Sequence, residues 1–123
     1  MPSTVSGPFE AGQGHPQASS TFPKYLRRMV RETGCLSLVE AVRKATLAPA
    51  LRMGLRGKGR VGPGADADMV VFDPRAIAET GEFAPGRPDS PPKGIRAVLV
   101  SGVPVAEGGA LTGQCPGKLI AAR

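Results

Sequence analysis

At 123 residues the chain fits one domain, or a large piece of a bigger one. Seventeen glycines and thirteen prolines interrupt regular structure, and aromatics at 4% leave only a thin core. The net charge of +6 is concentrated between residues 24 and 60, which hold ten of the sixteen basic side chains against only Glu32 and Glu40. Such a span can be a basic module that recruits nucleic acid or another anion, or a solvated helix face. Single-strand recognition needs aromatic platforms. Tyr25, with Phe22 just before the span, is the only aromatic there, so no specific nucleic-acid partner is expected.

Cys35 and Cys115 are eighty positions apart and form neither a metal knuckle nor a disulfide framework. Reduced thiols in a cytoplasmic protein follow as the expectation. Met1 to Gly14 has no apolar signal core, and no apolar run reaches membrane-spanning length, so no membrane partner is expected.

In chain order, Met1 to Ser20 reads as a loop rich in Gly, Pro, Ser and Gln. Thr21 to Thr33 reads as a helix capped by Ser20 or Thr21, with Pro23 in its first turn, where a missing N–H does no harm. Phe22, Leu26, Met29 and Val30 share one face at helical spacing, and Gly34 is a natural stop. Cys35, just after that stop, reads as a small buried apolar residue. Ser37 and Glu40 form a capping box. It opens a helix with Leu38, Val42 and Ala45 on one face, ending at Ala48 because the residue before a proline avoids helical backbone. Pro49 then starts a short helix through Met53, closed by Gly54.

Ala67 to Phe72 is a short apolar run after the turn at Gly62 to Gly64, and reads as a buried strand. Its residues Met69 to Phe72 should be the best buried of the C-terminal half. Asp66 and Asp68 beside that turn could attract a cation, or fix the turn. Asp73 before Pro74 reads as a strand-end turn residue. Glu82 to Gly94 reads as an irregular loop. Ile95 to Val100 and Val103 to Glu107 flank Ser101 and Gly102, a two-residue hairpin turn. Pro104 places the returning strand at an edge. Gly108 and Gly109 turn again, and Leu111 with Thr112 pairs briefly.

Several of these pieces, in this order, resemble the zinc-dependent N-acyl-D-amino-acid deacylases, the D-aminoacylase branch of the amidohydrolases. Gly14, His15 and Pro16, then Thr21, Phe22 and Pro23, resemble the loop and helix after the last barrel strand. Leu36 to Lys44, Thr46 to Ala50 and Gly54–Leu55 resemble the final barrel helices. Ala67 to Pro74 and Val98 to Val105 resemble the strands of a small sandwich. Leu111 to Gly113 and Pro116 to Lys118 resemble the tail.

The resemblance implies an α+β fragment: the last helices of a (β/α)8 barrel at residues 1–58, then a small β-sandwich at 59–123. It implies only the C-terminal quarter of a hydrolase acting on non-peptide carbon–nitrogen bonds. The expected substrate is a small N-acyl amino acid, with zinc as the full-length family's cofactor. Zinc catalysis takes about three protein ligands plus a water. One histidine and two distant cysteines cannot supply them, so no metal ligand and no catalytic residue is assigned here and the chain alone is expected to be inactive. The family's metal-contacting, proton-shuttling aspartate falls at Val5, which can do neither. Either the natural chain differs upstream of Ser6 or that step is lost. His15 and Gln17 are the substrate-loop candidates, although Gln17 stands where the family usually has an arginine able to grip a carboxylate. His15 also reads as a plain solvent-facing loop residue.

A non-catalytic alternative is an accessory module that docks onto a separate barrel. Without barrel strands, Phe22, Leu26, Met29, Leu38, Val42 and Leu51 should collect against the sheet, or stay exposed for a protein contact.

Overall fold

The computed structural model describes residues 17–81 and 90–120. The elements run α1 (Gln17–Leu26), a π-helical segment (Arg27–Glu32), α2 (Leu38–Ala45), α3 (Leu47–Arg52), β1 (Met69–Phe72), β2 (Ile95–Val100), β3 (Val103–Glu107) and β4 (Ala110–Leu111).

The first helix starts at Gln17, earlier than its sequence signals imply, so Pro23 lies inside it and not in its first turn. Past Leu26 the helix widens. The Thr33 amide reaches back five residues to the Arg28 carbonyl at 2.9 Å, which is π-helical closure. The same five-residue spacing brings the Arg27 guanidinium onto the Glu32 carboxylate. Gly34 then takes a left-handed φ of 62°. Cys35 behind it is exposed, contrary to the expected burial. It lies in an open turn where its amide donates to the Thr33 hydroxyl at 3.4 Å.

The capping box forms as expected. The Glu40 amide donates to Ser37 Oγ at 3.3 Å, and the Ser37 amide donates to Glu40 Oε2 at 3.2 Å. The helix ends at Ala45, three residues before the expected stop. Pro49 explains the shift: its ring would clash with the carbonyl four residues back, at Ala45, if one helix ran through. The chain instead breaks at Thr46 (φ −128°, ψ −77°) and restarts, so Pro49 sits in the first turn of α3.

Small residues seal the contact between these helices. Ala41 and Ala50 are buried, while Leu26, Met29, Val30, Leu38 and Val42 are only half-buried. Phe22 (61% exposed) and Leu51 (64%) point to solvent. Of the two fates expected for the apolar helix faces, exposure is what the structure shows at these two positions.

The strands form one antiparallel meander in the order β1-β2-β3-β4. Both β2 and β3 fall where expected, joined by Ser101 and Gly102 with φ of 51° and 78°, the left-handed pair that suits a tight hairpin. The first strand is shorter than expected. Ala67 and Asp68 leave the ladder to bind the hairpin turn: Ala67 O accepts from Gly102 N at 2.9 Å, and Asp68 Oδ1 from Ser101 N at 2.8 Å.

Pro104 does not mark an outer strand, since β3 lies between β2 and β4. The two residues of β4 face only Ala106 and Glu107. Pro104 therefore sits where β3 has no outer ladder partner, and its carbonyl accepts from the Thr112 hydroxyl at 2.8 Å.

The largest correction concerns β1. Val70 (52%) and Val71 (49%) are exposed, and Met69 and Phe72 are only half-buried. Successive strand residues face opposite sides, so neither face of β1 is covered at these positions. Among the described residues there is one sheet layer, where a sandwich has two. Among the described residues, the buried one of this half is Ile77, at 3%, just past the turn after β1. That turn is built by Asp73, whose carbonyl accepts from the Ala76 and Ile77 amides and whose carboxylate accepts from the Arg75 amide.

Candidate functional site

The sequence candidates lie where little chemistry converges. Val5 and His15 fall outside the described residues. Gln17 is the first residue of α1. Among the described residues no group of three or more His, Cys, Asp or Glu side chains could hold a metal ion. The donor set that zinc requires is therefore not assembled by them, and no step through zinc is derived from this chain.

Asp66 and Asp68 do come together, but around a cation of the chain itself. Lys58 Nζ pairs with Asp66 Oδ2 at 3.1 Å and with the Asp68 carboxylate. Lys58 and then the Ser101 amide hold the Asp68 carboxyl below its ordinary value. The same two aspartates, Asp68 before Asp66, raise the lysine. This fixes the turn, the second of the two readings open for these acids.

A second charged cluster joins the helices to the turn after β1. The Arg27 guanidinium grips the Glu79 carboxylate with two groups, one of them Nε to Oε2 at 2.8 Å. Arg27 holds the Glu79 carboxyl below the usual range, and Glu79 is the main cause of the raised arginine value. Arg31 Nη1 donates to the Ile77 carbonyl at 2.8 Å and to Pro74 O at 3.3 Å. By sequence both arginines belong to the solvated basic face. Their four-residue spacing puts them on one side of the helix, but nothing local points to Glu79, 52 residues away.

Two open grooves lie on the described surface. One, of about 270 Å³, runs over the sheet past Pro92, Ile95, Val98, Ala106 and Leu111. The other, of about 360 Å³, lies between α1 and α2 and is lined by Thr21, Phe22, Tyr25, Lys44 and Ala45. Neither is lined by a histidine or a cysteine. Among the described residues no helix is long and apolar enough to cross a membrane.

Comparison with known proteins supplies what the geometry does not. Residues 11–106 match the amidohydrolase family. The D-aminoacylase of Alcaligenes xylosoxydans xylosoxydans is 41% identical over 107 residues, covering 87% of this chain and 22% of that protein. A crystal structure of D-aminoacylase superposes with a TM-score of 0.75 at 40% identity, over 81% of this chain and 21% of that one. N-acyl-D-glutamate deacylase from Bordetella bronchiseptica, solved with zinc and a phosphonate mimic of the tetrahedral intermediate, gives 0.69 at 38%, over 74% and 19%. The chain thus spans about a fifth of the length of the relatives it matches. With most of its length inside the family match, the chain belongs to the amidohydrolase family.

Proposed function

We infer that the chain serves the hydrolysis of an N-acyl-D-amino acid, as one part of a zinc-dependent deacylase whose metal ligands lie in other polypeptide. The 41% identity to a D-aminoacylase over 87% of the chain carries this reading. In it, residues 1–58 complete the barrel and residues 59–123 belong to the small sandwich. Val5 stands at the position of the metal-contacting aspartate and cannot transfer a proton, while His15 and Gln17 line the substrate loop. The unpaired thiols Cys35 and Cys115 support a reducing, cytoplasmic setting.

By itself the chain turns over no substrate. The test is an assay of the purified chain with added zinc against several N-acetyl-D-amino acids. No turnover above the buffer blank is expected. Turnover that scales with protein concentration and disappears with a chelator would overturn the claim.

Exposed apolar side chains favour a second reading, in which the chain docks onto a separately supplied barrel. Phe22, Leu51 and Met53 (69% exposed) present apolar surface from or beside the helices. Mixing the chain with a D-aminoacylase that lacks its matching segment should yield a complex by size-exclusion chromatography. Two unshifted peaks would remove this reading.

A further inference from the structure

Helices and sheet meet through charge more than through a dry core. Among the described residues, no helix Cα lies within 8 Å of a strand Cα. No large side chain is fully buried there either. What spans the seam is polar and has a direction. On the helical side stand Arg27, Arg31 and Lys58; on the sheet side stand Glu79, the carbonyls of Pro74 and Ile77, and Asp66 with Asp68.

Lys58 belongs with the helices. Its amide donates to Leu55 O at 3.2 Å. The next residue, Gly59, sits so close to α3 that a Cβ there would stand 2.7 Å from Thr46 O and 2.9 Å from Ala50 Cβ. Asp68 belongs with the sheet through the Ser101 amide. The two contacts thus bracket β1: Asp68 immediately precedes it, and Glu79 follows it, just past the turn and the Ala78 bridge. Between Gly54 and Gly64 the connection has no helix or strand of its own.

We propose that these two ionic struts form a charge-held hinge, which sets the angle of the sheet on the helices and lets the sheet swing when the struts are discharged. Surface ion pairs contribute little to overall stability. Two pairs at opposite ends of one strand can still select an orientation, because turning the sheet away from either end breaks a directional contact.

The test keeps the full chain and its exposed Cys35, replaces Cys115 by Ser, and adds a label site with Glu107→Cys at the exposed end of β3. Pulsed electron–electron resonance between spin labels at Cys35 and at position 107 then reads the angle directly. With native struts a single narrow distance peak is expected. Glu79→Gln with Asp66→Asn and Asp68→Asn keeps the shapes and removes the carboxylate charges of both struts. The narrow peak should be lost to a broad distribution while far-UV circular dichroism keeps its helix and strand signal. An unchanged peak would overturn the proposal, since packing would then fix the angle. So would loss of the dichroism signal, since the charges would then hold the elements themselves.

Discussion

Gly94 is pressed against the backbone of Ile77: a Cβ on Gly94 would stand 2.5 Å from the Ile77 nitrogen and 2.6 Å from its Cα. Gly94 also has a φ of 80°, which side chains resist. Its carbonyl accepts from the Asp73 amide at 2.8 Å, so it cannot move away without opening the turn after β1. Gly94→Ala is expected to lower stability by roughly 3–5 kcal/mol, the range of a steric clash added to backbone strain. Gly64 is the control, with φ 79° and nothing within 4 Å of the point where an added methyl group would stand. Gly64→Ala should cost only about 1–2 kcal/mol, from strain alone. Urea denaturation of both variants checks the difference, and equal costs would show that the close approach to Ile77 is not felt.

What could be read from the sequence was local. The Ser37–Glu40 box, the Ser101–Gly102 turn and the bounds of β2 and β3 are each decided by a few neighbouring residues. The misplaced boundaries involve interactions that reach further. Pro49 ends α2 through a carbonyl four residues upstream, and the Thr33 amide bonds across a five-residue turn that helical periodicity does not display. The burial of β1 was not legible, because an apolar run reads the same whether or not a second layer covers it. The candidate site was legible only through family resemblance. Val5 and His15 lie outside the described residues, and Glu79 meets Arg27 across 52 positions with no motif to announce it.

The capping box makes a simple case. Ser37 Oγ accepts from the Glu40 amide at 3.3 Å and donates to Glu40 Oε2 at 2.9 Å. Ser37→Ala should cost about 1 kcal/mol, the usual loss for an N-cap, while Ser37→Asn should be nearly neutral. The Ser37 hydroxyl is also the main reason the Glu40 carboxyl lies below its ordinary value. An NMR titration of Glu40 should therefore move up in Ser37→Ala. A titration that stays in place would mean the hydroxyl contact is not made in solution.

Acid should weaken the fold through Glu79 and Asp68. Both carboxyls are lowered in the folded chain, Glu79 chiefly by Arg27 and Asp68 chiefly by Lys58. A lowered folded value means that the unfolded chain takes up protons first. The stabilisation is thus complete above the ordinary values of 4.5 and 3.8, and is lost as pH falls below them towards the folded values. Thermal midpoints should be level between about pH 7 and about pH 5.5 and fall below about pH 4.5. Lys58 acts with the opposite sign. Its value is raised, so its contribution is present below the ordinary 10.5 and is lost as pH climbs past that towards the folded value. Glu79→Gln with Asp68→Asn should flatten the acid limb and leave the part due to Glu40, which is also lowered. An acid limb unchanged in the double variant would place the titrating groups elsewhere.

The last prediction ranks the apolar residues of the sheet half. Strand character alone puts Val70 and Phe72 at its centre, yet β1 is an outer strand and Val70 is exposed on its face. Ile77 is different. It is almost fully buried, its amide donates to Asp73 O at 2.9 Å, and its carbonyl receives Arg31. Gly94 closes against its backbone, and the next residue, Ala78, pairs with Lys93 in an isolated bridge. A backbone held at so many points cannot shift to fill the space left by a shorter buried side chain, so truncation should leave a void. Ile77→Ala is expected to cost about 2–4 kcal/mol. Val70→Ala, which removes methyl groups already half in water, should cost less than about 1 kcal/mol. Hydrogen exchange should agree, with the Ile77 and Ala78 amides among the slowest of the sheet half and the outer amides of β1 exchanging early. If Val70→Ala proves as costly as Ile77→Ala, β1 has found a covering layer in solution and the turn after it is not the core of this half.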